Sequence, residues 1–405
     1  MRIVLVHRYF WPDTPPYAHI LRELAQHLGA AGHQVTVLSC QPSYNRAVVA
    51  KAPARECLAP GVEVRRWPIL PDRRFAAAKA LNLLWFCLRL LLARRGLGRV
   101  DVLMAASTPP IAVAKLGGWL ARRSGARFVY HKQDIYPEVV TAPGILRDGR
   151  WAALLRALDA RTERGADRVV VLSEDMAATV AARGVAPDRI TVINNFDPWL
   201  LDERAEPPRS TDRPSGPLHV VFAGNLGRFQ NLENVFEAAT LLRGEDGVAW
   251  HFFGTGALAA QLEEQVCSRG LRNVQLHGYR PPAEVAEFLR TRADVGIVSL
   301  MPGVIRAAYP SKTMSYLRQG CPVLALVEAD SELARDIEAA GSGLQVDPTD
   351  PGALASTLRR LAANPAELSG AGRRAAQLYE RRFGPAGQLA RWTQLFDELG
   401  ERRPT

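Results

Sequence analysis

The sequence is poor in cysteine and in lysine, and both shortages narrow what it can be. Its 405 residues include five cysteines, Cys40, Cys57, Cys87, Cys267 and Cys321, far apart and with no Cys-x-x-Cys pair. That spacing argues against a disulfide framework and a structural zinc site and fits a reducing compartment. No Asp-x-Asp pair, a short acidic clamp for a divalent cation, occurs anywhere. No uninterrupted apolar run reaches the ~20 residues that a membrane-spanning helix needs. The nearest, Phe75–Ala93, is broken by Lys79, Asn82 and Arg89. The opening MRIVLVHRYF is too short and too strand-like for a signal peptide. Together these absences predict a cytoplasmic protein.

Arginine is what the sequence has in excess. The formal net charge is +10 and the pI is about 9.7, which suggests an anionic partner such as phosphate, nucleic acid or an acidic membrane surface. Only Lys51, Lys79, Lys115, Lys132 and Lys312 are lysines. Arginine pairs at 65–66, 73–74, 94–95 and 122–123 are among those in the chain and stand in its first half. No RNP-type aromatic motif, zinc finger or basic zipper accompanies them, so nucleic acid is not expected. Pairs at both ends of Phe75–Ala93 favour a peripheral contact with an anionic membrane surface. Arg73, Arg74, Arg94 and Arg95 would stay with the headgroups while Trp85 and Phe86 enter the interface.

Length favours two domains. Short β-branched runs alternate with longer Ala/Leu/Arg runs, which implies parallel crossovers and an open α/β sheet. The first series has strands at Arg2–Val6, Gln34–Ser39, Asp101–Ala105, Arg127–Tyr130, Arg168–Leu172 and Ile190–Ile193, with helices such as Ala18–Ala31. It occupies residues 1–201. Asp202–Pro217 is rich in Pro, Ser and charge and reads as a linker. A second doubly wound series fills residues 218–380. Residues 381–405 contain an amphipathic helix expected to pack back on the first domain.

Three stretches can carry chemistry. In FAGNLGRFQNLENVFEAA a strand ends at Ala223, a Gly-rich turn follows, and a helix begins near Leu232. Gly224 and Gly227 let backbone approach a ligand, N–H groups at the helix start favour phosphate, and Arg228 adds a planar charged fork. The turn is neither GxGxxG nor a Walker loop, and a plain strand-to-helix turn would read the same way. FFGTGA, with Gly254, repeats the logic. In YPSKTMSYLRQGCPVLAL, Ser311 reads as a helix cap with Lys312 in the first turn. A cation there opposes the helix dipole, which favours contact with an anion; the plain alternative is an exposed surface lysine.

Taken in order, GNLGRFQNLENVFEAA, FFGTGA, VQLHGYRP, ADVGIVSL, YPSKTMSYLRQGCPVLAL and DSELARDIEAAGSGLQVDP resemble the second domain of GT-B glycosyltransferases. Within these they look like retaining family 4, in the WbuB-like and colanic-acid branch that builds bacterial O-antigen and capsule. GAAGHQVTVLSCQPSYN, DVLMAASTPPIAVAKLGGWLARRSGARFVYHKQDIYPE and VINNFDP match the first domain of that branch, so the resemblance covers nearly the whole chain. The departures lie at the donor site. The family's two glutamates, with seven residues between them, are replaced by Ala307 and Ser315. Asn225 and Gln230 stand where Arg and Lys are common, and, away from these, in the first domain DTPPYAH, with Pro15 and Pro16, replaces a glycine loop.

The resemblance implies an α/β architecture of two Rossmann-like domains facing across a cleft. It implies metal-independent transfer of a hexosyl or N-acetylhexosaminyl group from a nucleotide sugar, a UDP-sugar first, to a polyprenyl-diphosphate-linked saccharide, with no separate cofactor. Arg228 and Lys312 would face the donor diphosphate, with Gly224, Asn225, Gly227, Gly254 and Ser311 around it. Ser315 or Glu332 would hold the ribose. His131 would sit near the reacting sugar, with Asp134 as its catalytic companion and Glu138 and Tyr17 toward the acceptor. The missing glutamates leave two rival readings open, a non-catalytic scaffold that keeps the fold and a nucleotide-sugar epimerase.

Overall fold

The computed structural model describes residues 1–44, 51–70, 76–199 and 216–401. The chain divides into two compact units. Unit 1 comprises Met1–Glu138, Arg147–Pro198 and Pro385–Thr405, and unit 2 comprises Val139–Leu146 and Trp199–Gly384. Most of the expected linker lies outside the described residues, as do Arg73 and Arg74.

Unit 1 is built on eight strands: β1 (Arg2–Val6), β2 (Gln34–Cys40), β3 (Arg55–Ala59), β4 (Val62–Trp67), β5 (Val102–Ala106), β6 (Arg127–His131), β7 (Arg168–Val171) and β8 (Ile190–Val192). Their order is β3-β4-β2-β1-β5-β6-β7-β8. Runs such as VLMAA in β5 and RVVV in β7 are buried at every position, as strands covered on both faces must be. The chain winds outward from β1 in both directions, so the crevice past the carboxyl ends of β1 and β5 is a topological switch point, where such sheets bind ligands. Unit 2 repeats the plan with β9 (Leu218–Ala223), β10 (Val248–Phe253), β11 (Val274–Gly278), β12 (Val295–Ser299), β13 (Val323–Leu326) and β14 (Gly343–Val346). The order β11-β10-β9-β12-β13-β14 puts its switch point between β9 and β12.

Three features differ from the sequence reading. The sheet of unit 1 is not wholly parallel, because β3 and β4 form an antiparallel hairpin at its edge. That hairpin consumes the pair at 65–66: Arg65 binds Glu63 at 2.8 Å, and buried Arg66 binds Glu56 at 2.6 Å and the Trp11 carbonyl at 2.9 Å. The first helix, Pro16–Ala30, starts on the proline pair, since Pro16 has no N–H to lose at a helix start. Phe86, expected in an interface beside Trp85, is fully buried with its ring 5.7 Å from that of Trp67. Helix Ala76–Ala93 is apolar on more than one side, and packing decides which side is covered.

The C-terminal helix, Pro385–Glu401, belongs to unit 1 and buries Trp392, Leu395, Phe396 and Leu399 there. Beneath the end of β6 lies an ion cluster. Lys132, wholly buried, binds Asp159 and Glu163; Arg183 reaches the same two carboxylates at 3.0 and 2.7 Å and also binds Glu138. Removing one partner from such a cluster strands the others in low dielectric. Lys132→Met is expected to destabilise unit 1 by about 3–5 kcal/mol in urea unfolding. A loss below ~1 kcal/mol would mean that Arg183 alone neutralises the pair.

Candidate active site

In unit 2 the end of β9 is where the elements converge. Gly224 (φ +137°) and Gly254 (φ +134°) follow β9 and β10, and their loops zip together. Gly224 N–H donates to Phe253 O at 2.9 Å, and Leu226 N–H to Thr255 O at 2.9 Å. A Cβ on Gly254 would lie 1.9 Å from Gly224 O, and one on Gly256 2.3 Å from Leu226 O. FFGTGA therefore owes its glycines to loop-on-loop approach, whereas Gly224, Asn225 and Arg228 are exposed. Gly227 is buried, and a Cβ there would strike the Asn225 side chain at 2.6 Å. A 3-10 turn, Arg228–Gln230, precedes helix Leu232–Leu241.

Helix Lys312–Arg318 is pinned to this point by Tyr316. The Ala223 N–H donates to the Tyr316 hydroxyl at 2.7 Å. Gly296 of β12 has no side chain because the Tyr316 ring occupies that space, 2.5 Å from where a Cβ would be. One helical turn earlier, Lys312 lands with its ammonium 4.0 Å above the Phe222 ring, donating to the Gln230 side-chain oxygen. Among the described residues no carboxylate pairs with it. Burial pushes its pKa down to about 7. Ser311 is exposed and its hydroxyl caps nothing, so the expected cap bond is not made. Ser315 is half-buried on the same helix. Ala307, in place of a family glutamate, is buried.

Glu332 sits on helix Glu332–Ala339, and its carboxylate is committed to Arg382, which also binds Asp336 at 2.9 Å. Sequence reasoning singled out Gln230 only as a substitution and missed its bond to Lys312; it also missed Glu328. Glu328, just past β13, accepts from the Gly303 N–H at 2.5 Å. Proximity to the strand end Val323–Val327 was the available signal.

In unit 1, His131 is buried at the end of β6 and its surroundings fix its state. Asn195 Nδ2 donates to Gln133 Oε1 at 2.7 Å, which leaves the Gln133 amide N–H to donate to His131 Nε2 at 2.9 Å. His131 Nδ1 then carries the ring proton and donates to the Tyr17 oxygen at 2.8 Å. Trp392 closes the pocket edge-on, with ring centres 4.9 Å apart. Burial, and then the nearby His7, push the His131 pKa down to about 3. Asp134 is half-buried; burial raises its pKa to about 6 against the opposing pull of Lys132. Glu138 is half-buried and engaged by Arg156 at 2.7 Å and by Arg183. The structure thus brings Tyr17 and His131 together, places Asp134 three residues further on with its N–H on the Ser107 hydroxyl, and gives Glu138 to the ion cluster. Arg94 and Arg95 are exposed just beyond helix Ala76–Ala93. Among the described residues no group of three or more His, Cys, Asp or Glu is arranged to hold a metal ion.

Two family profiles match this chain: Glycosyl transferase 4-like domain over residues 17–195, and Glycosyl transferases group 1 over residues 217–364. The chain belongs to the GT-B glycosyltransferases, as these two matches and its paired Rossmann-like sheets require. Within that class it is related to the colanic-acid-type members of family 4. WcaI of Escherichia coli (strain K12), named for colanic acid biosynthesis, is 26% identical over 378 residues, 89% of this chain and 92% of that protein. "Probable glycosyltransferase WbjE" of Pseudomonas aeruginosa is 30% identical over 271 residues, 65% of this chain and 65% of that protein. The fold is also that of Anabaena Alr3699/HepE, solved in complex with UDP-glucose, at a TM-score of 0.67 and 14% identity over 98% of this chain and 100% of that one.

Burial keeps His131 neutral across the working pH range, and the hydrogen-bonded series through Gln133 selects which ring nitrogen carries the proton. The imidazole NMR signals of His131 are expected not to titrate between pH 5 and 8. Gln133→Glu puts a carboxylate against the ring and is expected to raise the pKa by about 1–3 units. An unmoved pKa in that variant would show that the residue at 133 does not bond the ring.

Proposed function

We propose that the chain transfers a hexosyl or N-acetylhexosaminyl group, with retention, from a UDP-sugar to a polyprenyl-diphosphate-linked saccharide in bacterial surface-polysaccharide synthesis. The observation that carries this reading is Lys312. It is a cation held without a carboxylate partner at the switch point of unit 2, beside the open backbone of Gly224 and the exposed Arg228. A diphosphate supplies the charge the site lacks. The complex of HepE with UDP-glucose supports a uridine nucleotide as donor.

The bond between the anomeric carbon and the diphosphate oxygen breaks while the acceptor oxygen attacks from the same face. The acceptor proton passes to the departing phosphate oxygen, so no separate base is needed. Catalysis then rests on positioning and on stabilising the leaving diphosphate. Arg228 and Lys312 do the latter. His131, neutral and with both ring nitrogens occupied, holds Tyr17, whose hydroxyl proton is left free to orient the acceptor. Asp134, ionised above pH ~6, orients the acceptor hydroxyl. The place of work is the cytoplasmic face of the inner membrane. No described helix is long and apolar enough to cross it, and a peripheral contact through Trp85, Arg94 and Arg95 fits.

Incubating the protein with UDP-sugars and a polyprenyl-diphosphate-linked monosaccharide is expected to give a product with the donor's anomeric configuration. The missing Asp-x-Asp predicts equal rates in EDTA and in added magnesium; a loss on chelation that metal restores would refute metal independence. Nucleotide-sugar binding without turnover would favour the scaffold, and donor conversion without acceptor the epimerase.

The state of Lys312 gives a second test. In the free protein most of the side chain is neutral at pH 8, because its pKa is about 7. A bound diphosphate favours the charged form, so binding takes up a proton and affinity falls as pH rises past 7. Calorimetry of UDP binding in buffers of different ionisation enthalpy is expected to show uptake of about one proton at pH 8 and little at pH 6. Uptake that persists in Lys312→Met would remove Lys312 from the diphosphate site.

A further inference from the structure

Helix Ala76–Ala93 leaves one of its apolar sides uncovered. Phe86 and Leu90 enter the core, while Leu81, Leu84, Trp85 and Leu88 stay exposed, Leu84 at 67%. Their spacing of i, i+3, i+4 and i+7 makes a single stripe. Beside the stripe runs the chain from Pro68 to Leu70. The Asn82 side chain accepts from the Leu70 N–H and donates to the Leu70 carbonyl, at 2.9 Å each, and the Trp85 indole N–H donates to the Pro68 carbonyl at 2.8 Å. Between helix and segment is a groove of about 540 Å³, within the range of small-ligand sites. The polar groups that knit its walls are spent on one another, so what it offers an occupant is hydrocarbon contact.

A second observation adjoins the groove through Trp85, one of its lining residues. The Arg89 guanidinium is held between the indoles of Trp85 and Trp67, 5.5 and 5.6 Å from their ring centres. Among the described residues no carboxylate pairs with it, and its buried Nε has no hydrogen-bond partner. A guanidinium fixed by stacking, with unspent donors, matches the oxygens of a phosphate. Arg94 and Arg95 follow just beyond the same helix. An apolar groove with an unpaired cation stacked on one of its lining indoles suits an anionic amphiphile.

We infer that this groove binds the hydrocarbon chain of an isoprenyl diphosphate, with the diphosphate at Arg89. The inference rests on the acceptor reading given above and names the part of unit 1 that grips the acceptor's lipid. A phospholipid headgroup shares the phosphate chemistry, and the test separates the two.

Farnesyl diphosphate is titrated into the full chain with saturating UDP present, so that the nucleotide site is filled, and tryptophan fluorescence is read. The expected result is saturable binding that weakens by about tenfold or more in Arg89→Gln and in the double variant Leu84→Gln/Leu88→Gln. Both leucines are exposed, so their replacement leaves the core intact. Farnesol and inorganic diphosphate are each expected to bind at least about tenfold more weakly than farnesyl diphosphate. The inference is overturned if farnesyl diphosphate does not bind saturably, if the variants bind it as tightly, or if inorganic diphosphate binds equally well. It is also overturned if phosphatidylglycerol vesicles bind through Leu84 and Leu88 and farnesyl diphosphate does not compete, which would make the face a membrane contact only. Lipid binding without sugar transfer sinks the transferase reading and leaves the groove. Transfer with an unchanged KM for the lipid-linked acceptor in the leucine variant does the reverse.

Discussion

The contact between Tyr316 and the end of β9 sets the geometry on which unit 2 depends. A phenol oxygen accepts the last N–H of one central strand while its ring covers the glycine of the neighbouring strand. One residue thus references a short helix to both sides of the switch point. Lys312 is four positions earlier on that helix, on the same face, so its place over Phe222 follows from the position of Tyr316. Seven residues of helix would not hold a cation in register by propensity alone; the tyrosine does it through packing.

Both units treat charge in the same way. Lys132 and Arg183 pair with buried Asp159 and Glu163, Arg156 and Arg183 share Glu138 at the edge of the cluster, and Glu332 is paired with Arg382. The groups at the switch points are handled oppositely. Lys312 has an aromatic face and an amide where a carboxylate would go, His131 is kept neutral by burial with an amide and a phenol as its ring partners, and Asp134 is pushed toward neutrality by burial. Groups kept short of their full charge respond strongly to an incoming ionic or polar ligand, because little internal pairing must first be broken. The loss of the family's glutamates fits this economy of charge, since Ala307 in the core removes a negative charge near Lys312's own segment of chain.

Much of the fold was readable from alternation. The parallel strands of both sheets are short β-branched runs between helical ones, and their ends fell within a residue or two of the observed bounds at β1, β7 and β8. The hairpin β3–β4 was not legible, because charges at Arg55, Glu56, Glu63, Arg65 and Arg66 mask its alternation, and only tertiary pairing neutralises them. At the site, Lys312 was legible because lysine is rare here and this one follows Pro-Ser. The role of Tyr316 and the bond of Gln230 to Lys312 were not, since each joins residues some 80 to 90 positions apart. Phe86 was misread for a different reason: a helix apolar on several sides carries no sequence mark of which side is inside.

The return of Pro385–Glu401 to unit 1 has a consequence in time. Trp392 closes the His131 pocket and Phe396 and Leu399 complete the core of unit 1, yet all three are made after the whole of unit 2. At ~5–20 residues per second of synthesis, the first sheet exists for on the order of ten to forty seconds without its last helix. Throughout that interval the nascent chain has an open His131 pocket and an uncovered apolar face. Unit 1 therefore cannot mature before unit 2 has been synthesised, and the order of manufacture keeps the His131 pocket from closing on a chain that lacks its second unit.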